Sequence, residues 1–389
     1  SRLMANSQWP VDSELFRRLA ATGLVPFGRT ATPENAIGVA TEASVYGAPT
    51  RNPWNLDHTP GGSSGGSAAA VSAGIVPGAH GSDGGGSIRI PAACTGLFGF
   101  KPTRARLPDG PYAGEGWGGM ATEGFLTRSV RDTAALLDAT AGPDLGAPYA
   151  APPLADSYCA ALEVRPPPLR IALCDTGLDG TAIDPVCRDA VHTAATLLTD
   201  MGHHVEPARP KADHPAMMAA WADIVACGTA LSVKTELETL GRDLRDDDLE
   251  RVSRTALDHA KTIDGTAYLR AIGTIHRYGR ELAAFFADWD ILLTPTLAEP
   301  PARIGRFAHT DDDYLYYRLG AGRCVDYSPY FAAFNASGQP AMSVPLCWSN
   351  AGLPIGIHLA TGFGKDELLM SLAADLERAQ PWFDKRPEL

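Results

Sequence analysis

The stretch that decides the architecture reads LRIAL at 169–173 and, ten residues on, DPVCRDAVHTAATLLTDMGHHV at 184–205. Leu169 to Leu173 is a buried-strand pattern. Asp184-Pro185 is a helix-start signal, because proline's fixed φ and missing N–H suit the first helical position. Val191, Ala195 and Leu198 then recur on one helical face, Gly202 stops the helix, and His204-Val205 resumes an extended chain. Strand, helix and strand in that order predict a crossover, and with it a sheet that is parallel at least in part.

The alternation continues outward on both sides. Toward the N-terminus a helix is expected from Asp12 to Thr22, with Asp12 or Ser13 as cap, Leu15 and Leu19 on one face and Gly23 as stop. Leu24-Val25-Pro26-Phe27 reads as a short strand, and Ala68 to Ala73 as a helix of small residues suited to tight packing. Toward the C-terminus a long helical stretch runs from Ala219 to Ala287, with a charged middle, Arg242 to Arg254, expected to be solvated. Strands follow at Asp290–Pro295, Ala341–Val344 and Ile355–Ile357, then a helix from Lys365 to Ala379 carrying Leu368, Leu372 and Leu376. No repeat and no composition break marks a second domain. The expectation is one α/β domain over residues 1–389: a mixed, largely parallel, twisted β-sheet covered by helices on both faces.

Composition narrows the function. A chain of 389 residues with 45% hydrophobic and 20% charged residues can bury a large core without disulfides or metals. The net charge of −12 argues against a surface that tracks phosphates, so no nucleic-acid partner is expected. Uninterrupted apolar runs such as Ile291-Leu292-Leu293 fall far short of the ~20 residues that span a bilayer, and the opening residues lack the charged and apolar regions of a secretory signal. Seven scattered cysteines without a CxxC pair read as reduced thiols of a cytoplasmic protein. The ten histidines form no HExxH, so no metal or other cofactor is expected.

Chemistry concentrates in two glycine-serine runs, Gly61-Gly62-Ser63-Ser64-Gly65-Gly66-Ser67 and Gly81-Ser82-Asp83-Gly84-Gly85-Gly86-Ser87-Ile88-Arg89. Neither has the Lys-Ser/Thr of a phosphate-binding loop, the GxGxxG of a dinucleotide site or the GxSxG of a nucleophile elbow. Glycines at 84, 85 and 86 let successive backbone N–H groups turn into one concavity, where they could hold a developing oxyanion formed by attack of Ser87. A serine also needs a base, and neither His58 nor His80 sits in a context that supplies one.

Together the runs GGSSGGSAAAVSAG (61–74) and GSDGGGSIRIPAACTGLFGFKPT (81–103) resemble the amidase signature family of serine hydrolases. The resemblance extends along the chain through TATPE (30–34), TRNPW (50–54), TRSVRD (127–132), LLTPT (292–296), FNASGQPA (334–341), GLPIG (352–356) and Pro381-Trp382. The GSDGGGS form is most similar to the branch that includes 6-aminohexanoate cyclic dimer hydrolase, and departs from the run usual in glutamyl-tRNA amidotransferase A subunits. The resemblance implies a Ser–cis-Ser–Lys triad, with Ser87 as nucleophile, Ser63 as the bridging serine beside a cis peptide bond, and Gly84, Gly85 and Gly86 as the oxyanion hole. Asp83, Arg89 and Ser64 would hold the loop. It further implies a small-molecule amide substrate, linear or cyclic, an acyl-serine intermediate and a homodimer.

One element of that pattern is unmatched. The family's catalytic lysine lies farther upstream than the 62 residues preceding Ser63, and none of the six lysines here corresponds to it. Lys101 falls in the GFKPT motif instead. A preceding segment, a separate N-terminal fragment, or a non-catalytic scaffold role would each account for this; the first is the expectation, since losing the segment would bare apolar surface. For the substrate pocket, the aromatic and acidic stretch 309–331 offers Tyr317 and Tyr327, and the helical stretch around Trp221 offers Cys227. Core packing of these same residues is the competing reading.

Overall fold

The computed structural model describes residues 1–388. In chain order its elements are α1 (Glu14–Ala21), α2 (Gly65–Ser72), β1 (Gly78–Asp83), α3 (Arg89–Thr95), β2 (Phe98–Lys101), β3 (Thr122–Thr127), α4 (Val130–Thr140), α5 (Tyr158–Ala161), β4 (Arg170–Leu173) and α6 (Pro185–Asp200). There follow β5 (His204–Pro207), α7 (His214–Leu240), α8 (Arg251–Ala260), α9 (Gly265–Asp288), β6 (Ile291–Pro295), α10 (Tyr314–Leu319), α11 (Cys324–Tyr327), α12 (Phe331–Ser337), β7 (Ala341–Trp348), β8 (Pro354–Thr361) and α13 (Asp366–Ala379). The helix starts are set by side chains: Ser13 accepts from the Phe16 amide, and Asp184 accepts from that of Val186 with Pro185 at the first turn.

The strands form one sheet in the order β1-β3-β2-β7-β8-β6-β4-β5. The crossover read from 169–205 is present: β4 and β5 pair in parallel through α6, and β4 pairs in parallel with β6. The rest of the sheet corrects the expectation of a largely parallel one. Among the described residues the five other pairings, β1–β3, β3–β2, β2–β7, β7–β8 and β8–β6, are antiparallel. The physical reason is local. β7 and β8 are joined by a tight turn, which can only return the chain antiparallel, and β1, β2 and β3 lie in glycine-rich sequence without the alternation that signals direction.

Helices do cover both faces. Along β6 the side chains divide by parity: Ile291 and Leu293 join the layer of α1, α4, α6 and α13, whereas Leu292 joins the layer of α7, α9 and α12. The long helical stretch resolves into α7, α8 and α9. By length and composition α7 could cross a bilayer, a feature that a search for uninterrupted apolar runs overlooks; here it lies against α8, α9, α10 and α12 as a core helix. The expected strand at Leu24–Phe27 does not form. Val25 and Phe27 stand exposed, with no neighbouring strand, and Pro26 withholds the N–H that pairing needs.

Candidate active site

Two loops meet where β1 ends. Gly62-Ser63 is a cis peptide bond, and α2 starts directly after it with Ser64 at the cap position. Gly62 has no room for a side chain, because a Cβ there would lie 2.8 Å from the Ala40 nitrogen and the Gly38 carbonyl oxygen. The Thr41 hydroxyl donates to the Gly61 carbonyl at 2.8 Å. Ser63 and Ser64 are buried; the Ser64 amide donates to the Ser87 carbonyl at 3.2 Å and its hydroxyl to that of Ser82 at 3.3 Å. The two serine loops are thus tied through backbone, while no hydrogen bond joins the side chains of Ser63 and Ser87.

The second loop is built around Asp83, the last residue of β1. Its fully buried carboxylate accepts from the Gly86 amide at 2.7 Å and the Ile88 amide at 3.2 Å. It also accepts from Arg89 through Nε at 3.0 Å and Nη2 at 2.9 Å, and from Asn335 Nδ2 at 3.0 Å. Burial alone would raise the Asp83 pKa, but the Arg89 guanidinium beside it holds the carboxyl well below the usual range. Arg89, equally buried, reaches His358 Nε2 at 3.1 Å. Guanidinium has no lone pair to offer, so that nitrogen accepts and the proton sits on Nδ1, facing the Thr294 hydroxyl at 3.3 Å. Burial and then the Arg89 charge keep His358 neutral, its pKa well below the ordinary value.

Three aromatic side chains press on the glycines. A Cβ on Gly84 would lie 2.5 Å from Trp117, one on Gly85 2.5 Å from Trp221, and one on Gly86 2.7 Å from Phe331, with Gly86 at φ +107°. The Trp221 indole N–H donates to the Gly84 carbonyl at 2.9 Å. Glycine is therefore required both for close approach and, at 86, for the backbone conformation. The Gly86 amide is committed to Asp83, whereas those of Gly84, Gly85 and Ser87 have no hydrogen-bond acceptor among the described residues.

Ser87 and Gly85 line a partly open cavity walled by Trp117, Trp221, Met218, Val325 and Arg318. Of the pocket candidates named from sequence, Trp221 is there. Tyr317 and Tyr327 are not: both are fully buried, Tyr317 donating to the Phe307 carbonyl at 3.2 Å and Tyr327 packed on Phe307 with its hydroxyl against the Ala302 amide and Cys94. Each faces the core side of its short helix. Cys227 also stays outside the lining, where burial raises its thiol pKa. The stretch 309–331 does line the cavity, through Arg318, Cys324, Val325 and Ser328 rather than its tyrosines; sequence reasoning missed Trp117 and Met218 as wall residues, and Asn335 and His358 as supports. A histidine in the otherwise apolar strand PIGIHLAT was the one available signal.

Lys101 has the depressed pKa a catalytic base needs, pushed down to about 7 by burial and by the Arg89 charge. Its position is wrong for that task, since its ammonium donates to the Pro102 carbonyl at 2.9 Å, away from the cavity.

Comparison with known proteins shows the family. The family model described as Amidase matches residues 1–370. The chain is 37% identical over 385 residues to the 6-aminohexanoate-cyclic-dimer hydrolase of Paenarthrobacter ureafaciens, covering 97% of this chain and 78% of that protein. It is 38% identical over 377 residues to the putative amidase AmiC of Mycobacterium tuberculosis (strain ATCC 25618 / H37Rv), covering 95% and 76%. The structure of 6-aminohexanoate cyclic dimer hydrolase complexed with substrate superposes with a TM-score of 0.92 at 35% identity, over 98% of this chain and 80% of that one. A bacterial aryl acylamidase gives 0.87 at 28% identity, over 100% and 81%. The chain belongs to the amidase signature family of amide hydrolases.

Proposed function

We propose that Ser87 attacks the carbonyl of a small linear or cyclic amide and carries the acyl group as an ester. The observation that carries this reading is the placement of Ser87 and the Gly85 backbone on one cavity wall, on a loop locked by Asp83, Arg89 and Asn335. The free amides of Gly84, Gly85 and Ser87 stabilise the oxyanion, each such donor contributing roughly 3 kcal/mol in the transition state. Ser63 relays the proton between Ser87 and a lysine, then returns it to the leaving nitrogen; water frees the acyl group in the second half. Among the described residues no lysine hydrogen-bonds to Ser63, Lys101 and Lys261 being bonded elsewhere, and the lysine base of this scheme is a group that these residues do not supply. The relatives named above support amides as the substrate class.

A fluorophosphonate probe and an anilide substrate test this on the full-length protein. Ser87 should take the label, and Ser87→Ala should lose the label and at least a thousandfold in kcat/KM. An unlabelled Ser87, or full activity in the alanine variant, would instead fit an amidase-fold scaffold, whose serine has no reason to be nucleophilic.

A further inference from the structure

Arg318, in α10, is 4% exposed and lines the same cavity as Ser87. Its guanidinium lies over three rings, 4.8 Å from the centroid of Trp221, 5.8 Å from Tyr314 and 5.9 Å from Tyr317. Its Nε is buried without a hydrogen-bond partner. Among the described residues no carboxylate pairs with it, and the acidic groups of its own segment are engaged elsewhere. Asp311 pairs with Arg323 at 2.8 Å and Asp312 with Arg251 at 3.0 Å, and Asp313 caps α10.

The polar groups that do adjoin Arg318 are neutral. Tyr314 donates its hydroxyl proton to the Ala222 carbonyl and Tyr317 to that of Phe307. Burial pushes Tyr314 up to about 12 and raises the Cys324 thiol as well, so neither ionises near neutral pH. A buried cation without a counter-charge is unfavourable, and stacked rings return only part of its lost hydration. Something anionic that enters the cavity would complete it.

We propose that Arg318 is a carboxylate receptor, and that the amides cleaved at Ser87 carry a carboxylate a few atoms from the scissile carbonyl. This rests on the reading of Ser87 given above. Trp117, Trp221, Met218 and Val325 wall the cavity that the two residues share, which suits a short methylene spacer. The planar fork of the guanidinium matches a carboxylate in two parallel hydrogen bonds.

The test is calorimetric binding to the full-length Ser87→Ala protein, which holds substrates without turning them over. Two matched pairs place the charge on either side of the amide: 5-acetamidopentanoate against N-pentylacetamide, and glutaric monoanilide against pentananilide. At least one carboxylate should bind tenfold or more tightly than its uncharged partner. Adding Arg318→Met should bring that ratio within twofold, and Arg318→Lys should leave a reduced preference, since a point charge attracts without forking. Thermal unfolding shows whether each variant is folded, and the lysine variant carries the comparison if the methionine one is not. Equal binding within both pairs overturns the proposal, as does a preference that survives in Arg318→Met. Fluorophosphonate labelling of Ser87 in the unaltered protein tests the catalytic reading separately, so either idea can fail alone.

Discussion

A carboxylate with no solvent contact is tolerable only while its partners stay in place, and Asp83 has partners from three parts of the chain: its own loop, Arg89 in α3 and Asn335 in α12. Replacing it with Asn keeps the shape but removes the charge that offsets Arg89, and it turns one acceptor toward donors as an NH2. Breaking one side of a buried pair costs about 3–5 kcal/mol. Asp83→Asn should therefore lower the urea midpoint with an unchanged m-value, and it should slow fluorophosphonate labelling of Ser87 because the Gly86 amide loses its anchor. A wild-type midpoint in that variant would show that the ion pair does not hold the loop. The resemblance implied Asp83 and Arg89 as residues that hold the loop, but not that they pair with each other. Asn335 and His358 were not legible, because they arrive from 252 and 269 residues away and nothing local marks them as partners.

At the scale of elements, α7 lines the cavity through Met218 and Trp221. Trp221 performs two tasks at once, donating to the Gly84 carbonyl and forming the ring beneath Arg318. Trp221→Phe keeps a ring but leaves that carbonyl without its donor, a loss of about 1–3 kcal/mol for a buried acceptor. We expect a melting temperature lower by a few degrees together with slower Ser87 labelling; slower labelling without loss of stability would place the effect on the cavity alone. Elements with strong periodicity or terminal signals are readable in the amino-acid order itself, as α6 is from its Asp184-Pro185 start and α13 from its leucine spacing. The strand β1 was hidden by the small residues of GAHGSD, which carry little pattern, and the three glycines that follow it are what let Trp117, Trp221 and Phe331 close on the loop. At Leu24–Phe27 the apolar composition misleads in the other direction, because no described strand lies beside it and Val25 and Phe27 stay exposed.

For the molecule as a whole, burial of ionisable groups sets how stability follows pH. His214, at the start of α7, is 4% exposed; its Nδ1 lies 3.2 Å from the Tyr278 hydroxyl of α9 and its Nε2 is without a partner. Burial lowers its pKa from the ordinary 6.5 to about 4, against a smaller opposing pull from Asp179. Between those values the unfolded chain binds a proton that the folded protein refuses. The stability gained from neutral His214 is thus complete above about pH 6.5 and is lost as pH falls toward 4, by at most about 3 kcal/mol. Lys101, pushed down to about 7, tilts the curve the same way from its ordinary 10.5 down to neutrality, in a window that does not overlap. Asp109 tilts it oppositely: burial, and then Glu123, Asp144 and Glu115, raise its carboxyl to about 7, so its contribution declines as pH rises from about 4 to 7. Because Asp109 and His214 act across the same interval, the wild-type profile alone does not separate them, whereas the difference between wild type and His214→Phe does. Urea unfolding of both proteins at pH 7.5, 6 and 5 should show the variant's stability relative to wild type improving steadily toward acid. A difference that stays constant over that range would mean that His214 takes up its proton in the folded core as readily as in the unfolded chain.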